Sequence, residues 1–434
     1  MLSKLISISV AGLAMEAIWL LTLRLGPLRE HTVPFVALML AAFGLCAWSF
    51  FRLPIRSNQA VVLVLAFGFL FRLTVLPSLP WQSEDVYRYI WDARVARAGI
   101  DPYRYPADAP ELAHLRDARV YPMINSKPYV TAYPPLSQML FRAGQSVFGE
   151  NVVAMKGVFS LLEFASLILA WRLLLLFGLA LTPLFLVAWN PFFIFEFSHS
   201  GHSDSAMIFL LLLAFYLMKR RRPGTGMISY AGAVLSKLHP ALLFPLFVRF
   251  AGWKAGAIGA AAGTAVALMF FNLSSGIRYL DSLGLYYRLF EFNAGIHYFL
   301  RFLGRIVYNQ PWDKLIGPYL LAALVVITVV VVWRFPVRDE ISLFHASFWI
   351  MTADLCLATT VHPWYLSWAA LALPFFPYAF MFYWTGAVFL SYFAYSFHPV
   401  HEPAWILIAE YGPMYGLMAW EIWRKGPSLR EKSL

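Results

Sequence analysis

Charge is scarce in this chain. Asp, Glu, Lys and Arg supply 13% of its 434 residues, about half the share found in an ordinary soluble domain. So few charges could not cover a water-soluble fold in which 60% of the residues are apolar, and a mean hydropathy of +0.64 points the same way. Cysteine is nearly absent. Cys46 and Cys356 both sit in apolar runs, which leaves no disulfide framework and no thiolate metal cluster. Acidic residues are outnumbered, and the formal net charge is +11. In a soluble protein that excess would suggest a polyanionic partner, whereas cytoplasmic loops of membrane proteins collect Lys and Arg as a rule. These shortages exclude a soluble enzyme, a nucleic-acid binder and a disordered scaffold. What remains is abundant apolar sequence in many separate runs, which predicts an all-α polytopic membrane protein.

Runs long enough to cross a bilayer lie near 5–25, 31–51, 58–78, 152–176, 179–197, 204–218, 255–272, 315–333, 341–361, 363–378, 380–397 and 403–423. They predict about 12 full transmembrane helices in a single domain covering 1–434. The first run follows MLSKL and looks like a signal peptide. It is long, holds Glu16 and precedes further spans, so it reads as an uncleaved first helix. Basic clusters at Arg52 and Arg56, Lys219–Arg222, Arg334 and Arg338, and Arg424, Lys425, Arg430 and Lys432 set the orientation. Placing them all inside puts both termini in the cytoplasm. Residues 227–250 are apolar but interrupted by Lys237-Leu238-His239-Pro240. A full crossing there would invert every later loop, so the segment reads as a broken half-helix hairpin that enters and returns.

This topology gathers the polar connections on the extracytoplasmic side of the cell membrane. They are 79–150, Ser198–Asp204, Ser274–Lys314, Thr360–Trp364 and Phe397–Pro403. The longest, 79–150, is too polar to span. Within it, Asp85, Arg88, Tyr89 and Asp92 fall on one helical face. Trp81, Tyr87, Tyr89 and Trp91 suit a headgroup zone, so the segment predicts an amphipathic helix on the outer leaflet. A second interfacial helix follows the break at Tyr133-Pro134-Pro135. Asp85 has two readings. Ser83 would cap the helix, with Glu84 and Asp85 favouring its positive end. The same placement holds an ionised carboxylate rigidly toward solvent, as a general base requires. Pairing of Arg88 with Glu84 would leave Asp85 the freer acid.

Read in order, several motifs form a set: Ser83-Glu84-Asp85-x-Tyr87-Arg88-Tyr89, Trp91-Asp92, Gly99-x-Asp101-Pro102-Tyr103 and Thr131-x-Tyr133-Pro134-Pro135. Gly201-His202-x-Asp204, Lys237-x-x-Pro240, Phe292-Asn293-x-Gly295 and His362-Pro363-Trp364-Tyr365 follow. The set resembles GT-C type glycosyltransferases, and among them is similar to bacterial polyprenyl-phosphate-mannose-dependent mannosyltransferases. The resemblance runs from about Ser83 to Trp368; residues 1–78 and the C-terminal helices match only as generic spans. It implies transfer of a sugar, mannose by the likeness, from a polyprenyl-phosphate donor to an extracytoplasmic glycan or glycolipid. It also implies an acidic catalytic base in the first loop. Asp85 occupies the matching position, while many relatives carry Asp where this chain has Glu84, so both acids stay open. Glu84, Arg88 and Tyr89 would support that base.

Inverting displacement of a phosphate leaving group needs cations, not a general acid. The candidates for holding the phosphate are Lys237, His239, Arg301 and His362. Each also has a structural reading: snorkelling or pairing for Lys237, a solvated surface position for Arg301. Tyr133, His202, Asp204, Asn293, Trp364 and Tyr365 are candidates for the sugar or acceptor, although Trp364 and Tyr365 would serve equally as interface anchors. His199, His202 and Asp204 have a spacing that could hold a divalent metal. Without thiolates or further close ligands that reading is disfavoured, and no metal or other cofactor is expected. His398 and His401 form a second outer pair, read as a plain polar loop. The competing functions are a lipid-linked sugar flippase or transporter and a glycan polymerase or ligase. The first would show repeated halves, and the second would use a loop late in the chain.

Overall fold

A computed structural model describes residues 2–310, 312–397 and 399–425. His398, Arg430 and Lys432 therefore lie outside the described residues. Backbone inside lipid must satisfy its own hydrogen bonds, and among the described residues the architecture is helical, with one isolated bridge between Phe292 and Thr360. The chain opens with three long helices, α1 (Leu2–Arg24), α2 (Thr32–Arg52) and α3 (Asn58–Val75). The polar segment that follows carries α4 (Asp85–Arg97) and α5 (Pro135–Phe148), and α6 (Val152–Phe177) returns to apolar sequence. Two one-turn helices, α7 (Phe185–Ala188) and α8 (Pro191–Ile194), lead to a wide π turn at Phe195–His199. Then come α9 (Asp204–Lys219), α10 (Pro223–Ser236), α11 (Phe244–Ala251), α12 (Trp253–Phe270), α13 (Leu273–Leu289), α14 (Gly295–Tyr308) and α15 (Asp313–Arg334). The last are α16 (Glu340–Leu357), α17 (Ser367–Ala370), α18 (Ala379–Ala387) and α19 (Ala404–Lys425).

Six of these helices are long and apolar enough to cross a membrane: α1, α2, α3, α6, α12 and, over Leu315–Arg334, α15. The other six expected spans take a different form. Residues 179–197 and 363–397 are built of short turns and broken helices, and α9, α16 and α19 are shorter or interrupted by polar residues and Pro413. The reason is burial. Every residue from 183 to 208 and from 363 to 376 is buried, so protein rather than lipid surrounds the irregular backbone, the condition under which a helix can break at membrane depth. A buried ion pair fastens this interior to the outer helices. Arg72 meets Glu163 through Nε (2.5 Å) and Nη2 (2.6 Å), and its Nη1 donates to the carbonyls of Gly68 and Ala188. A charge this deep is tolerated only when paired and fully hydrogen-bonded.

The 79–150 segment corrects one expectation. α4 is not a half-exposed interfacial helix. Val86, Tyr89, Ile90, Trp91 and Val95 are buried in a second core with Phe141 of α5 and Phe159 of α6. Tyr89 and Trp91 therefore pack inside instead of reaching headgroups. The short helices at Pro110–Leu115 and Tyr121–Met123 also pack against it, with Leu112, Val120 and Ile124 in the same core. This enclosure holds the first residue of α4, Asp85, on a rigid base.

The break near Lys237 is present as a local feature. α10 stops at Ser236, Lys237 is extended (φ −155°), and a short 3-10 turn over His239–Leu243 leads into α11. Pro240 at the start of that turn lacks the N–H that continuing the helix would use.

Candidate functional site

Three stretches bring the site together, beginning with the start of α4. Asp85 is 17% exposed at its side chain. Its Oδ1 accepts from Asn125 Nδ2 at 2.8 Å, and its Oδ2 lies 3.5 Å from His202 Nδ1. Ser83 does not cap the helix as expected: the N-cap is Glu84, which makes no side-chain cap hydrogen bond, and Ser83 Oγ accepts from the Asp85 N–H at 3.3 Å in a local turn that leaves the Asp85 carboxylate directed elsewhere. The expected pairing of Arg88 with Glu84 does not form. Glu84 pairs with Arg29 at 3.1 Å, and Arg88 pairs with Asp92 at 2.9 Å. Arg88 also donates to the carbonyls of Ser126 and Tyr129 (3.4 and 3.1 Å). Pairing forward with Asp92 lets it staple the loop that carries Asn125, so Arg88 acts on Asp85 through that loop.

The second stretch follows the π turn. Gly201 has φ +78°, and a Cβ there would stand 2.6 Å from Lys156 Cγ. Only glycine accepts both the left-handed backbone and the close approach. Past this turn the Ser203 N–H donates to the Tyr89 hydroxyl at 3.3 Å, which joins the loop to α4. His202 is fully buried between two carboxylates, with Nε2 3.4 Å from Glu196 Oε2. Asp204 opens α9 and lies 3.1 Å from Lys237 Nζ, while Trp368 Nε1 donates to it at 2.7 Å.

The third stretch is aromatic. The Trp364 ring stacks on His202 at 3.8 Å, and His362 stacks on the same indole at 4.6 Å. The Lys237 ammonium stands 4.8 Å from the ring centre of Tyr365 and 5.7 Å from that of Trp368, a cation–π arrangement. His239 stacks on Trp368 at 3.7 Å and reaches Asp354 Oδ2 at 2.8 Å.

The electrostatics follow from these partners. Burial alone would raise the Asp85 pKa, but the His202 ring beside it, the hydrogen bond from Asn125 and the charge of Lys237 outweigh it and bring the pKa to about 2. Burial alone would lower the His202 pKa, and the two carboxylates raise it to about 8. Burial holds His362 down at about 4, against the pull of Asp85. Asp85 therefore contributes stability that is present above its unfolded pKa and lost as pH falls toward about 2. His202 contributes stability that is present below its unfolded pKa and lost as pH rises through about 8. Near neutral pH the site holds a carboxylate facing an imidazolium.

The structure thus joins Asp85, Tyr89, His202, Asp204, Lys237, His239, His362, Trp364 and Tyr365 through one chain of contacts. Tyr133 packs edge-on against Tyr89 at 5.0 Å. Asn293 is anchored to other groups. Its backbone N–H donates to Glu402, its side chain to Glu410, and its carbonyl accepts from Tyr411. Its neighbour Phe292 stacks on His362 at 5.1 Å. Arg301 pairs with Glu291 and crosses the Tyr298 ring at 4.8 Å. The three groups weighed for a metal diverge: His199 stacks on Phe195 at 4.4 Å, His202 takes the two acids, and Asp204 takes Lys237. Sequence reading missed Asn125, Glu196, Asp354 and Trp368. Glu196 and Asp354 carried a usable signal, since an acid inside an apolar run of a membrane chain marks a functional or paired site. Asn125, in an irregular loop, carried none.

Comparison with known proteins adds a family. Residues 1–253 match the family described as Alpha-(1->6)-mannopyranosyltransferase, N-terminal domain. An alpha-(1->6)-mannopyranosyltransferase of Mycobacterium tuberculosis is 32% identical over 161 aligned positions, 33% of this chain and 25% of the relative. Alpha-(1->6)-mannopyranosyltransferase A of the same organism is 25% identical over 328 aligned positions, 69% of this chain and 63% of the relative. The chain thus spans less than two thirds of the length of either relative.

Proposed function

Starting from the fact that the chain belongs to the alpha-(1->6)-mannopyranosyltransferase family, we propose that it is an integral membrane mannosyltransferase. It moves a mannosyl unit from a polyprenyl-phosphate donor to an extracytoplasmic glycan or glycolipid acceptor, by inverting single displacement. The observation that carries this reading is the meeting of a poised carboxylate and a cation across one short loop. Asp85 contacts His202, and Lys237 contacts Asp204 two residues further on.

In the reaction, Asp85 removes the proton from the acceptor hydroxyl as that oxygen attacks the anomeric carbon. Asn125 holds the other carboxylate oxygen and so fixes which lone pair faces the acceptor. The bond to the donor phosphate breaks on the opposite face of the sugar, and the leaving phosphate is a weak base that needs positive charge more than a proton. Lys237 supplies that charge, with His239 beside it on Trp368 as a further phosphate contact. Single displacement needs no second carboxylate nucleophile, in contrast to a retaining glycosidase, and a β-linked donor gives an α-linked product. Trp364 and Tyr365 offer faces for the sugar, with His362 beside them. Charge supplied by side chains leaves no required role for a metal.

The topology belongs to the same reading: twelve crossings plus a hairpin at α10–α11, both termini cytoplasmic, and the site outside. Its support is the company kept by the basic residues. Lys219 reaches Glu340 at 3.4 Å, and Arg249 at the end of α11 donates to the Phe335 carbonyl at 3.2 Å. The start of α10 and the end of α11 are thereby brought to the end of the bundle that holds Arg334 and Arg338, as a returning hairpin demands. Cysteines substituted at exposed Ala98 and Arg221 test this against a background of two buried native thiols. A membrane-impermeant maleimide applied from outside should label position 98 and spare 221. Labelling of both from one side would overturn the topology. The activity itself is tested with purified protein in lipid, offered mannose on polyprenyl phosphate or on a nucleotide. Transfer is expected from the lipid donor alone, and equal transfer from the nucleotide would reject the reading.

A further inference from the structure

Glu196 lies in an apolar run and is completely buried. An acid in that setting is costly unless polar partners hold it, so its partners indicate its use. The Tyr392 hydroxyl donates to Oε1 at 2.8 Å. Oε2 lies 3.4 Å from His202 Nε2, and the other ring nitrogen of His202 faces Asp85 at 3.5 Å. One imidazole therefore stands between two carboxylates, one at the reacting end and one deep in the bundle. A ring with a carboxylate opposite each nitrogen has its orientation and its charge set by the pair of acids. Trp364, stacked on the ring at 3.8 Å, resists tilting out of that line.

We propose that Glu196 is a positioning residue for the transfer reaction: pinned by Tyr392, it orients His202, and through His202 it sets how strongly the Asp85 carboxylate attracts the acceptor proton. The inference rests on the reading of Asp85 as base and extends it to a residue that touches no substrate. Two acids, Asp85 and Glu196, contact the ring. The other ionisable groups around it are His199 on the preceding turn, His362 beyond Trp364, and Lys237 with its counter-ion Asp204. With both acids in contact, His202 keeps its proton to about pH 8. An imidazolium beside a carboxylate weakens that carboxylate as a base. Transfer should therefore accelerate as pH rises and His202 becomes neutral. Removing the inner acid should let the ring lose its proton earlier.

The test uses full-length protein in lipid, with Glu196→Gln and the milder Tyr392→Phe. The rise in kcat is expected near pH 8 in the unaltered protein and about one pH unit lower in Glu196→Gln. The plateau kcat should fall about tenfold through lost orientation, with the donor KM within about twofold. Tyr392→Phe should move the profile in the same direction by less, and it decides the matter if the first variant fails to fold. The ring titration of His202, followed by NMR of histidine-labelled protein and assigned with His202→Gln, needs no turnover and should move with the rate profile. A ring titration unchanged in both variants would make Glu196 a structural acid and overturn the proposal. Absence of turnover with the lipid donor, beside a shifted ring titration, would instead count against the mannosyl-transfer reading.

Discussion

Asp85→Asn is expected to lower kcat by about a thousandfold, within the range that a positioned general base contributes, while donor affinity stays near that of the unaltered protein. The substitution keeps the shape of the side chain and an oxygen able to accept from Asn125, so the start of α4 should hold its geometry. What it removes is the lone pair that takes the acceptor proton. It also removes one of the two carboxylates that keep His202 charged, so the ring should become neutral at a lower pH. Glu84 provides the contrast. It pairs with Arg29, and both side chains are a third or more exposed, so Glu84→Gln should change kcat by less than about twofold, as exposed ion pairs contribute little. Initial rates at saturating acceptor, together with donor binding measured separately, check both variants. An inactive Glu84→Gln beside an active Asp85→Asn would transfer the role of base to Glu84 and sink the assignment argued above.

Much of the fold was legible because the bilayer imposes simple rules. Runs such as 5–25, 31–51 and 58–78 had only one way to satisfy their backbone, and they are α1, α2 and α3. The failures share a cause. Residues 179–197 and 363–378 are as apolar as any span, but they are wrapped by other helices and so are free to break. Hydropathy records how apolar a segment is, not whether lipid or protein surrounds it. α4 misled for the same reason: Tyr89 and Trp91 read as headgroup anchors, yet Phe141 and Phe159 cover Tyr89 and Tyr121 packs on Trp91. Of the site, the residues carried by spaced motifs could be named in advance, because Asp85, His202, Asp204 and Lys237 are charged groups in a chain that has few. Their partners could not. The turn of Arg88 from Glu84 to Asp92 depends on Arg29 arriving from the loop after α1, and Asn125 arrives on a loop without periodicity. Local spacing allowed Arg88 either acid, at i−4 or i+4, and tertiary packing made the choice; the Asn125 contact left no trace in spacing at all.

Lys237→Met is expected to raise the donor KM by about 10- to 100-fold, which corresponds to the roughly 1.5–3 kcal/mol of a hydrogen bond to a charged group. Two roles compete for this lysine. One is to hold the donor phosphate, and the other is only to neutralise Asp204, which it meets at 3.1 Å. Geometry favours a lysine that serves both. Its side chain retains 16% exposure, and an ammonium carries three donors. The ammonium also lies over the ring of Tyr365, which leaves the cation held in place but not enclosed. Asp204→Asn separates the roles. It removes the counter-ion while keeping the side-chain oxygen that accepts from Trp368, so a phosphate-holding lysine should bind the donor as well or better. Lysine acting only as counter-ion would leave donor KM unchanged in Lys237→Met, and both variants would lose thermal stability alike, because each strands one partner of a largely buried pair. Lys237→Arg refines the outcome. It keeps the charge but replaces a compact ammonium with a planar fork, so donor KM should return to within about tenfold of the unaltered protein, with any remaining deficit in kcat reporting misplacement of the leaving group.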